Sequence, residues 1–286
     1  MKLSNYLVRP NSRIDLSKIK TDLTDEKISK DTFEKILSRN IQKISELQEK
    51  LYADNKYALL LIFQGMDASG KDSMIKNVMS GLNPQGTQVF SFKEPSKQEL
   101  DHDYLWRIHK AMPERGRIGI FNRSHYEEVL IVRVHNLISK QNIPHKLISK
   151  NIWKQRYRQI NDFERYLFEN GTMILKFYLH ISFEEQKKRF LKRIDDQTKN
   201  WKFSYQDVKE RSFWNRYMLA YQEAISSTST KFAPWFIIPS DKKWFARTVV
   251  SEIIYQSLKK LKLSFPEPSA EQSEDLKRAR EILLQE

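Results

Sequence analysis

The alternation of apolar and polar stretches along the chain predicts strands that alternate with helices. An unbroken apolar run at residues 57–63 is typical of a strand that is buried on both faces. Similar runs follow at residues 88–92, 117–122, 172–181 and 235–239, with helical spacing of apolar positions between them. Such an order favours a parallel sheet that is covered by helices on both faces. We therefore predict a three-layer α/β/α fold.

Helical periodicity organises the segments around these strands. Residues up to about 30 are polar and of mixed charge, which is typical of an arm or a loose helix. Asp31 and Glu34 have the spacing of a capping box, and apolar positions follow at helical spacing up to Leu51. Between the strands, the pattern predicts helices at residues 71–79, 97–110, about 126–137 and 148–169.

The composition of the segments suggests three parts of the chain. Residues 1–55 form an N-terminal arm and helix, and residues 56–262 form the α/β domain. Residues 263–286 contain a Pro-rich linker and a final helix. That helix has Leu276, Ala279 and Leu283 on one face, which is typical of a docking or dimerisation helix. We therefore expect a homo-oligomer.

A strongly basic helix is predicted after the fourth strand. Ser182 and Glu185 cap its start. It carries five cations: Lys187, Lys188, Arg189, Lys192 and Arg193. Like charges four residues apart destabilise a helix, so a purely solvated face is the weaker interpretation. Further cations around Trp201 favour a lid at about residues 183–210 that closes over an anion. A second capped helix is predicted from Ser204 to about residue 224.

The composition adds a strong positive charge. The 286 residues include 50 Lys and Arg against 36 Asp and Glu, a net charge of +14. Such a surface attracts polyanions: nucleic acid, an anionic membrane or a phosphate polymer. The chain has no cysteine, which excludes disulfides and thiol nucleophiles. No apolar run approaches the roughly 20 residues needed to span a bilayer, and we see no signal peptide, so we expect a cytoplasmic protein.

Candidate chemistry begins at residues 65–71, Gly-Met-Asp-Ala-Ser-Gly-Lys, which follow the first strand. Two glycines separated by four residues and followed by lysine are typical of a loop that holds phosphate at a helix N-terminus. Lys71 adds a cation for the transferred phosphate. Asp72 stands where Ser or Thr usually contacts Mg²⁺, and Asp67 places a carboxylate beside the phosphates. The alternative is a glycine-rich turn without chemistry, but the order of strand, loop and helix favours phosphoryl transfer.

A second polar segment follows the strand at residues 117–122. It contains Asn122, Arg123, His125, Glu127 and Glu128. Arg123 is suited to neutralise charge on a transferred phosphoryl group. The alternative is a helix cap with incidental charges, but the end of a neighbouring strand would place the segment beside the glycine loop. For His125, a hydrogen-bonded structural role is favoured over a phosphohistidine intermediate.

These motifs resemble those of the polyphosphate kinase 2 family. Residues 65–72 and 121–128 carry most of the likeness, and shorter matches follow at residues 83–86, 101–109 and 201–204 and between residues 233 and 244. The likeness spans about residues 57–261. It implies a P-loop kinase-like α/β/α fold with a helical lid. It also implies transfer of phosphate between inorganic polyphosphate and a nucleotide with Mg²⁺, or Mn²⁺ in its place.

The resemblance also implies roles for individual residues. Catalysis falls to Asp67, Lys71, Arg123 and Glu127. Asp67 and Asn122 would hold the metal, and Asn122 and Arg123 would contact the nucleotide phosphates. The residues assigned to phosphate or polyphosphate are Gly65, Ala68, Ser69, Gly70, Lys71, Asp72, Arg133, Arg189, Arg193, Lys199 and Lys202. Of these, Arg189 and Arg193 would act from the lid.

The same segment indicates a subclass. Members that act only on nucleoside diphosphates tend to have Asp at the position of Asn122 and Asn at the position of Glu127. Asn122, His125 and Glu127 resemble the class III members, which phosphorylate AMP and ADP, and GMP and GDP are further candidate acceptors. With Asn122 in place of Asp, the metal would have one carboxylate ligand fewer than the family pattern implies.

Two alternatives to this function are open at the level of sequence. An ATP-dependent nucleoside monophosphate kinase shares the glycine loop but does not need so basic a surface. A nucleic-acid-binding P-loop protein would need aromatic or basic elements that read bases, and the sequence shows none. We therefore expect polyphosphate, AMP, ADP and ATP as partners, and neither nucleic acid nor membrane.

Overall fold

A computed structural model describes residues 2–23 and 29–286 of the chain. Within these ranges, five parallel strands form one sheet in the order β2-β3-β1-β4-β5. The strands are β1 (Ala58–Gln64), β2 (Thr87–Ser91), β3 (Ile118–Asn122), β4 (Thr172–His180) and β5 (Trp235–Pro239). The parallel sheet predicted from the sequence is thus confirmed.

Helices cover both faces of the sheet. In chain order, the helices of the described residues are α1 (Lys30–Asp54), α2 (Lys71–Val78), α3 (Lys97–Leu100), α4 (Trp106–Lys110), α5 (Ile131–Val134), α6 (Ile152–Glu169), α7 (Phe183–Asp195), α8 (Tyr205–Arg211), α9 (Trp214–Thr228), α10 (Lys243–Lys260) and α11 (Ala270–Leu283). Leu59 and Leu61 of β1 pack toward α1, α2 and α10. Leu60 and Ile62 pack toward α4, α5, α6 and α9. Successive side chains of a strand point to opposite faces, so β1 serves both cores and the three-layer fold is confirmed.

Several predicted helices differ from the observed ones at their ends. Helix α1 begins at Lys30, and its cap is Ser29, whose hydroxyl accepts a hydrogen bond from the Thr32 N–H (3.2 Å), so the capping box predicted at Asp31 is wrong. The caps predicted at Ser182 and Ser204 are confirmed, because each side chain accepts a backbone N–H of its helix. Residue 1 and residues 24–28, which belong to the predicted arm, lie outside the described residues.

Three predicted long helices are interrupted. The helix predicted at residues 97–110 is split into α3 and α4, where Asp103 accepts the Leu105 N–H (2.9 Å). The helix predicted at about 126–137 is a 3₁₀ turn, His125–Val129, followed by α5. The helix predicted from Ser204 is split into α8 and α9 beside Ser212, whose hydroxyl donates to the Lys209 carbonyl (2.7 Å). Local side-chain bonds to the backbone compete with regular helix at Asp103 and Ser212.

The N-terminal arm covers the β5 edge of the sheet. The Val8 N–H donates to the Trp235 carbonyl (2.9 Å), and the Ile237 N–H donates to the Tyr6 carbonyl (2.8 Å). Further along the arm, the Ile14 N–H donates to the Ser226 hydroxyl (3.1 Å). An open strand edge invites pairing with other chains, and these contacts satisfy part of it. In the part of the chain that the structure describes, no helix combines the length and apolar character needed to cross a membrane.

The strand register brings the two chemical segments together. Phe63 of β1 pairs with Asn122 of β3, so the glycine loop after β1 and the polar segment after β3 leave the sheet side by side. The Arg123 N–H donates to the Phe63 carbonyl (3.1 Å) and ties the two segments directly. The carboxyl edge of the sheet is where ligands bind in open parallel sheets.

Arg189 connects α7 to the glycine loop. The side chain is buried, and its guanidinium donates to four backbone carbonyls: Ala68 (3.0 Å), Ser69 (2.8 Å), Ser240 (2.5 Å) and Asp241 (3.1 Å). Its Nε donates to the Glu185 carboxylate (2.7 Å). The direct phosphate contact predicted for Arg189 is therefore not supported, because its donors are already used in holding the loop against α7 and the segment after β5.

We expect Arg189→Ala to lower the melting temperature by at least about 5 °C, because it leaves buried carbonyls without donors. Arg193→Ala, one helical turn later, is the matched control. Arg193 is partly exposed and pairs with Asp207 at 3.5 Å, so its loss should cost less than about 2 °C. Thermal unfolding followed by circular dichroism measures both changes. Equal melting temperatures for the two variants would contradict the structural role of Arg189.

Candidate active site

The glycine loop depends on backbone conformations that side chains resist. Gly65 has a φ of +154°, and a Cβ there would lie 2.8 Å from the Ser69 hydroxyl oxygen and 2.9 Å from the Leu179 carbonyl oxygen. Gly70, at a φ of +105°, is the N-cap of α2. These conformations wrap the backbone around the start of α2. Unbonded N–H groups of a first helical turn and the helix dipole attract an anion at such a position.

Lys71 and Ser69 give the loop groups that suit a phosphate. Lys71 is buried, and its Nζ donates to the carbonyls of Gly65 (2.6 Å) and Met66 (3.3 Å). Burial, reinforced by the charge of Arg123, lowers the pKa of Lys71 to about 8. Among the described residues, the buried Ser69 hydroxyl has no hydrogen-bond partner. A phosphate in the loop would give both groups an acceptor.

Arg123 lies between two carboxylates. Its guanidinium donates to Asp67 at 2.9 Å and lies 3.8 Å from Glu127. The charge of Glu127 raises the pKa of Arg123, with a further contribution from Asp67. Arg123 has a φ of +64°, a left-handed conformation that is uncommon outside glycine and is frequent at functional sites. The structure thus brings together the four residues assigned to catalysis, with Lys71 near enough to be affected by the other three charges.

Gln64, the last residue of β1, supports this cluster and is absent from the sequence-based assignment. With its amide nitrogen toward Glu127 the side chain donates to that carboxylate (3.0 Å), and its oxygen accepts the Ser124 N–H (3.1 Å). The side chain is buried. Gln64 therefore holds the segment after β3 from the neighbouring strand. A polar residue that ends an otherwise apolar strand is the signal that could have indicated it.

Asn122 and Asp72 form the outer edge of the site. The Asn122 amide nitrogen donates to the Asp72 carboxylate at 2.7 Å. This contact leaves the amide oxygen of Asn122 for another partner. Among the described residues, no three Asp, Glu or His side chains converge in a metal site. The Asp67 carboxylate and the Asn122 amide oxygen are donors of the kind that Mg²⁺ takes together with phosphates and water.

The lid residues are engaged with acidic neighbours. Arg193 pairs with Asp207 of α8 at 3.5 Å, and Lys199 pairs with Asp196. Burial raises the pKa of Asp207, and the charge of Asp67 adds to this effect, which places α8 on the side of the glycine loop. The side chain of Lys202, also assigned to phosphate, lies outside the described part of the structure.

Arg133 has a different environment from the one that the sequence suggested. It donates to the Tyr157 hydroxyl (2.8 Å) and to the Glu223 carboxylate (2.6 Å), and its guanidinium lies near the Trp153 ring. These contacts join α5 to α6 and α9. None of the contacts described for Arg133 is with the glycine loop, so its assignment to phosphate is not supported by the geometry.

A basic cleft beside the glycine loop was missed. Ser69, Gly70 and Ser73 line one side of it, and Lys243 and Arg247 of α10 line the other. Burial lowers the pKa of Lys243, and the positive charges of Arg189, Arg247 and Lys192 lower it further. Cations that repel one another in this way are suited to an anionic ligand. Lys243 and Arg247 are one helical turn apart, and this spacing was the available signal.

His125 faces the interior. Its side chain is buried, and Nε2 lies 3.3 Å from the Glu164 carboxylate. Burial lowers the pKa of His125, although Glu164 opposes the effect. This environment agrees with the structural role that the sequence favoured, since a phosphohistidine would need access to the phosphates.

Known proteins resemble the chain in sequence and in structure. The model of the family described as Polyphosphate kinase 2 (PPK2) matches residues 27–266. The ADP-polyphosphate phosphotransferase of Rhodopseudomonas palustris is 47% identical over 286 residues, 99% of each chain. The AMP/ADP-polyphosphate phosphotransferase of Meiothermus ruber is 43% identical over 268 residues, 93% of this chain and 96% of the relative.

A solved structure supports the same assignment. The crystal structure of Polyphosphate Kinase 2 from Arthrobacter aurescens superposes with a TM-score of 0.87 at 38% identity, and the match covers 97% of this chain and 95% of the other. The family model spans the sheet, the glycine loop, the segment after β3 and the basic cleft. On these matches, this chain belongs to the polyphosphate kinase 2 family.

Proposed function

We propose that this protein transfers phosphate from inorganic polyphosphate to AMP and ADP, giving ADP and ATP, in a reversible reaction. The observation that carries the proposal is the glycine loop with Lys71, which faces the Asp67–Arg123–Glu127 cluster at one edge of the sheet. The names of the two relatives support polyphosphate as the donor.

The arrangement suits in-line phosphoryl transfer. Such transfer needs little covalent chemistry from the protein and depends on positioning and charge stabilisation. Lys71 would turn from the loop carbonyls to a phosphate oxygen. Arg123, held by Asp67 and Glu127 in the absence of substrate, would contact the phosphoryl group that moves between donor and acceptor. Asp67 would then be released from part of its ion pair.

Mg²⁺, or Mn²⁺ in its place, is proposed as the cofactor. Asp67 and Asn122 are the proposed ligands, and phosphates and water would complete the coordination. When bound, the ion would neutralise charge on the phosphates. Asp67 needs such a counter-charge if Arg123 moves toward substrate, because its carboxylate would otherwise lie unpaired beside the phosphates.

The polymer would lie along the basic cleft. Lys243 and Arg247 adjoin the start of α2, so a chain of phosphates would continue from the glycine loop past α10 once it displaces the hydrogen bond from Arg247 to the Ser73 hydroxyl (2.8 Å). The net charge of +14 favours this polyanion over a single small anion. Arg193 and Lys199 would join the site only after they exchange Asp207 and Asp196 for phosphate.

The proposed acceptor range depends on Asn122. The Asn122 amide donates to Asp72 at 2.7 Å. An Asp at position 122 could not make this contact unless a proton or a metal lay between the two carboxylates. Asn122 therefore lowers the negative charge at this edge, which would let the acceptor phosphate approach at more than one depth. The names of the two relatives, one stating ADP and the other AMP and ADP, support a nucleotide as the acceptor.

Helix α11 supports the proposal of a homo-oligomer. None of its residues is buried, and Leu276 and Leu283 are 62% and 66% exposed on one face. Asp275 flanks this face toward the start of the helix, and Arg280 flanks it toward the end. A parallel pair of α11 helices would place Asp275 of one copy near Arg280 of the other, across the edge of the leucine face. We also propose that the protein is cytoplasmic.

The donor and acceptor are tested together. With polyphosphate, Mg²⁺ and AMP as the sole nucleotide, we expect ADP to rise and then fall as ATP appears, measured by anion-exchange chromatography. Reaction of ADP but not AMP would restrict the acceptor to the diphosphate. Phosphorylation of AMP by ATP and not by polyphosphate would replace the proposal with a nucleoside monophosphate kinase.

The loop residues should contribute to the chemical step. Lys71→Ala and Asp67→Asn should each lower kcat by about 100-fold or more, as expected for loss of a contact to charge that develops in the transition state. Lys76→Ala, on the exposed face of α2, is the control and should retain the wild-type rate. Rates come from polyphosphate-driven ADP formation. Wild-type kcat in a folded Lys71→Ala protein would remove that lysine from the site.

The proposed pairing of α11 helices predicts that substitutions on the leucine face change the molar mass in solution. Leu276→Glu with Leu283→Glu should reduce the molar mass in light scattering from that of an oligomer to that of a smaller species. Glu274→Gln with Arg278→Gln alters the opposite face of α11 with no change in net charge, and it should leave the assembly intact. Unaltered mass in the leucine variant would place the interface elsewhere, and a monomeric wild-type protein would refute the oligomer.

A further inference from the structure

A buried ion pair lies directly below the proposed site. Lys176, in the middle of β4, donates to the Glu164 carboxylate of α6 at 2.5 Å, and both side chains are fully buried. Removing two charges from water costs several kcal/mol for each ion, and well-packed apolar residues can replace such a pair at no loss of stability. A central strand that is apolar along most of its length does not need this pair to form a core.

Lys176 has a partner for each of its three protons. Besides Glu164, its Nζ donates to the Tyr126 hydroxyl (2.9 Å) and to the Thr228 carbonyl of α9 (2.7 Å). The lysine therefore joins β4, α6, α9 and the turn after β3 at one point. The Lys176 ammonium is thus fully satisfied, and a buried polar network of this kind imposes direction as well as contact.

Glu164 makes the corresponding bonds to the turn. Its Oε1 accepts the Tyr126 hydroxyl at 2.8 Å and lies 3.3 Å from His125 Nε2. Burial alone would raise the pKa of Glu164, but Lys176 and His125 more than offset it, and the carboxylate stays ionised. Both oxygens of Glu164 are thus used, one toward Lys176 and one toward the turn.

The two turn residues in this network stand between two of the four residues proposed for catalysis. Ser124, His125 and Tyr126 separate Arg123 from Glu127 in the chain. His125 and Tyr126 are buried, whereas Arg123 and Glu127 remain partly accessible. On one side, Gln64 donates to Glu127, and Arg123 pairs with Asp67. On the other side, the network of Lys176 and Glu164 fixes the backbone between Arg123 and Glu127.

We propose that the Lys176–Glu164 pair is a positioning device that sets Arg123 and Glu127 through His125 and Tyr126. The proposal rests on the proposed function, in which those two residues face the transferred phosphate. The pair touches no substrate. Because β4 and α6 are packed in the core, the pair fixes the position of the segment after β3. The first residue of that segment, Arg123, has a left-handed backbone. A turn freed from the pair could still fold but would no longer hold both side chains in place.

The decisive experiment separates stability from positioning. Lys176→Met and Glu164→Leu, made singly, each leave one buried charge unpaired and should lower the melting temperature. Together they remove both charges, and the melting temperature should return toward that of the wild type. We expect kcat of the double variant to remain lower by about 10- to 100-fold, because small displacements of positioned groups have effects of this size. KM for AMP and for polyphosphate should change little. Recovery of kcat together with the melting temperature would overturn the proposal.

A second readout does not depend on activity. Amide hydrogen exchange of residues 122–130 should be faster in the double variant than in the wild type, while exchange in β1 is unchanged. Wild-type exchange in this turn would refute the positioning role whatever the rates show. Failure of the wild type to transfer phosphate would instead refute the proposed function, so the two failures are distinguishable.

Tyr126→Phe provides a test that keeps the ion pair. It removes only the hydroxyl that links the turn to Lys176 and Glu164, and we expect lower kcat and faster exchange at residues 122–130. Tyr178→Phe is the matched control. Tyr178 is a buried residue of the same strand as Lys176, and its hydroxyl contacts only the sulfur of Met218, at 3.5 Å, among the hydrogen bonds described. The control should retain wild-type kcat and exchange, and the same behaviour in Tyr126→Phe would contradict the proposal.

Discussion

The parallel register of β1 with β3 is the constraint on which the rest of the site depends. Because Phe63 pairs with Asn122, the chain leaves both strands at the same height, and the Arg123 N–H can reach the Phe63 carbonyl. A slip of one residue would turn every side chain of β3 to the other face. It would also separate Arg123 from Asp67, which lies four residues beyond Phe63. The apolar residues that fix this register in the two cores thus determine the geometry of the charged cluster at the edge of the sheet.

The charges around the site are largely balanced by one another. Arg123 is held by Asp67 and Glu127, Arg193 by Asp207, and Lys199 by Asp196. Isolated cations at a partly buried edge would repel one another and cost stability. Acidic partners remove this cost until a more highly charged polyanion displaces them. The basic cleft of Lys243 and Arg247 differs, because within residues 2–23 and 29–286 neither cation forms a salt bridge, and Arg247 instead donates to the Ser73 hydroxyl.

Local patterns predicted the sheet and the position of the loop well, because both depend on the spacing of neighbouring residues. The association of Asp67, Lys71, Arg123 and Glu127 also followed, since strand ends in a parallel sheet meet at one edge. Arg189 and Arg193 could not be distinguished from sequence. They occupy similar positions on one basic helix, and only the packing of α7 shows that one bonds four carbonyls while the other meets Asp207. The spacing of Lys243 and Arg247 shows that they share a helix face but not that this face meets the glycine loop, and the Lys176–Glu164 pair depends on a contact across the fold that no local pattern records.

The arm along β5 has a consequence for the order of folding. Its hydrogen bonds join Tyr6 and Val8 to Trp235 and Ile237, so the earliest part of the described chain pairs with one of the last elements of the sheet. The entropic cost of closing so long a loop grows only slowly with the length of the loop. During synthesis on the ribosome, the arm must nevertheless wait until β5 has emerged. Until then the nascent chain has no partner strand for it, so the β5 edge is sealed only after β5 has been made.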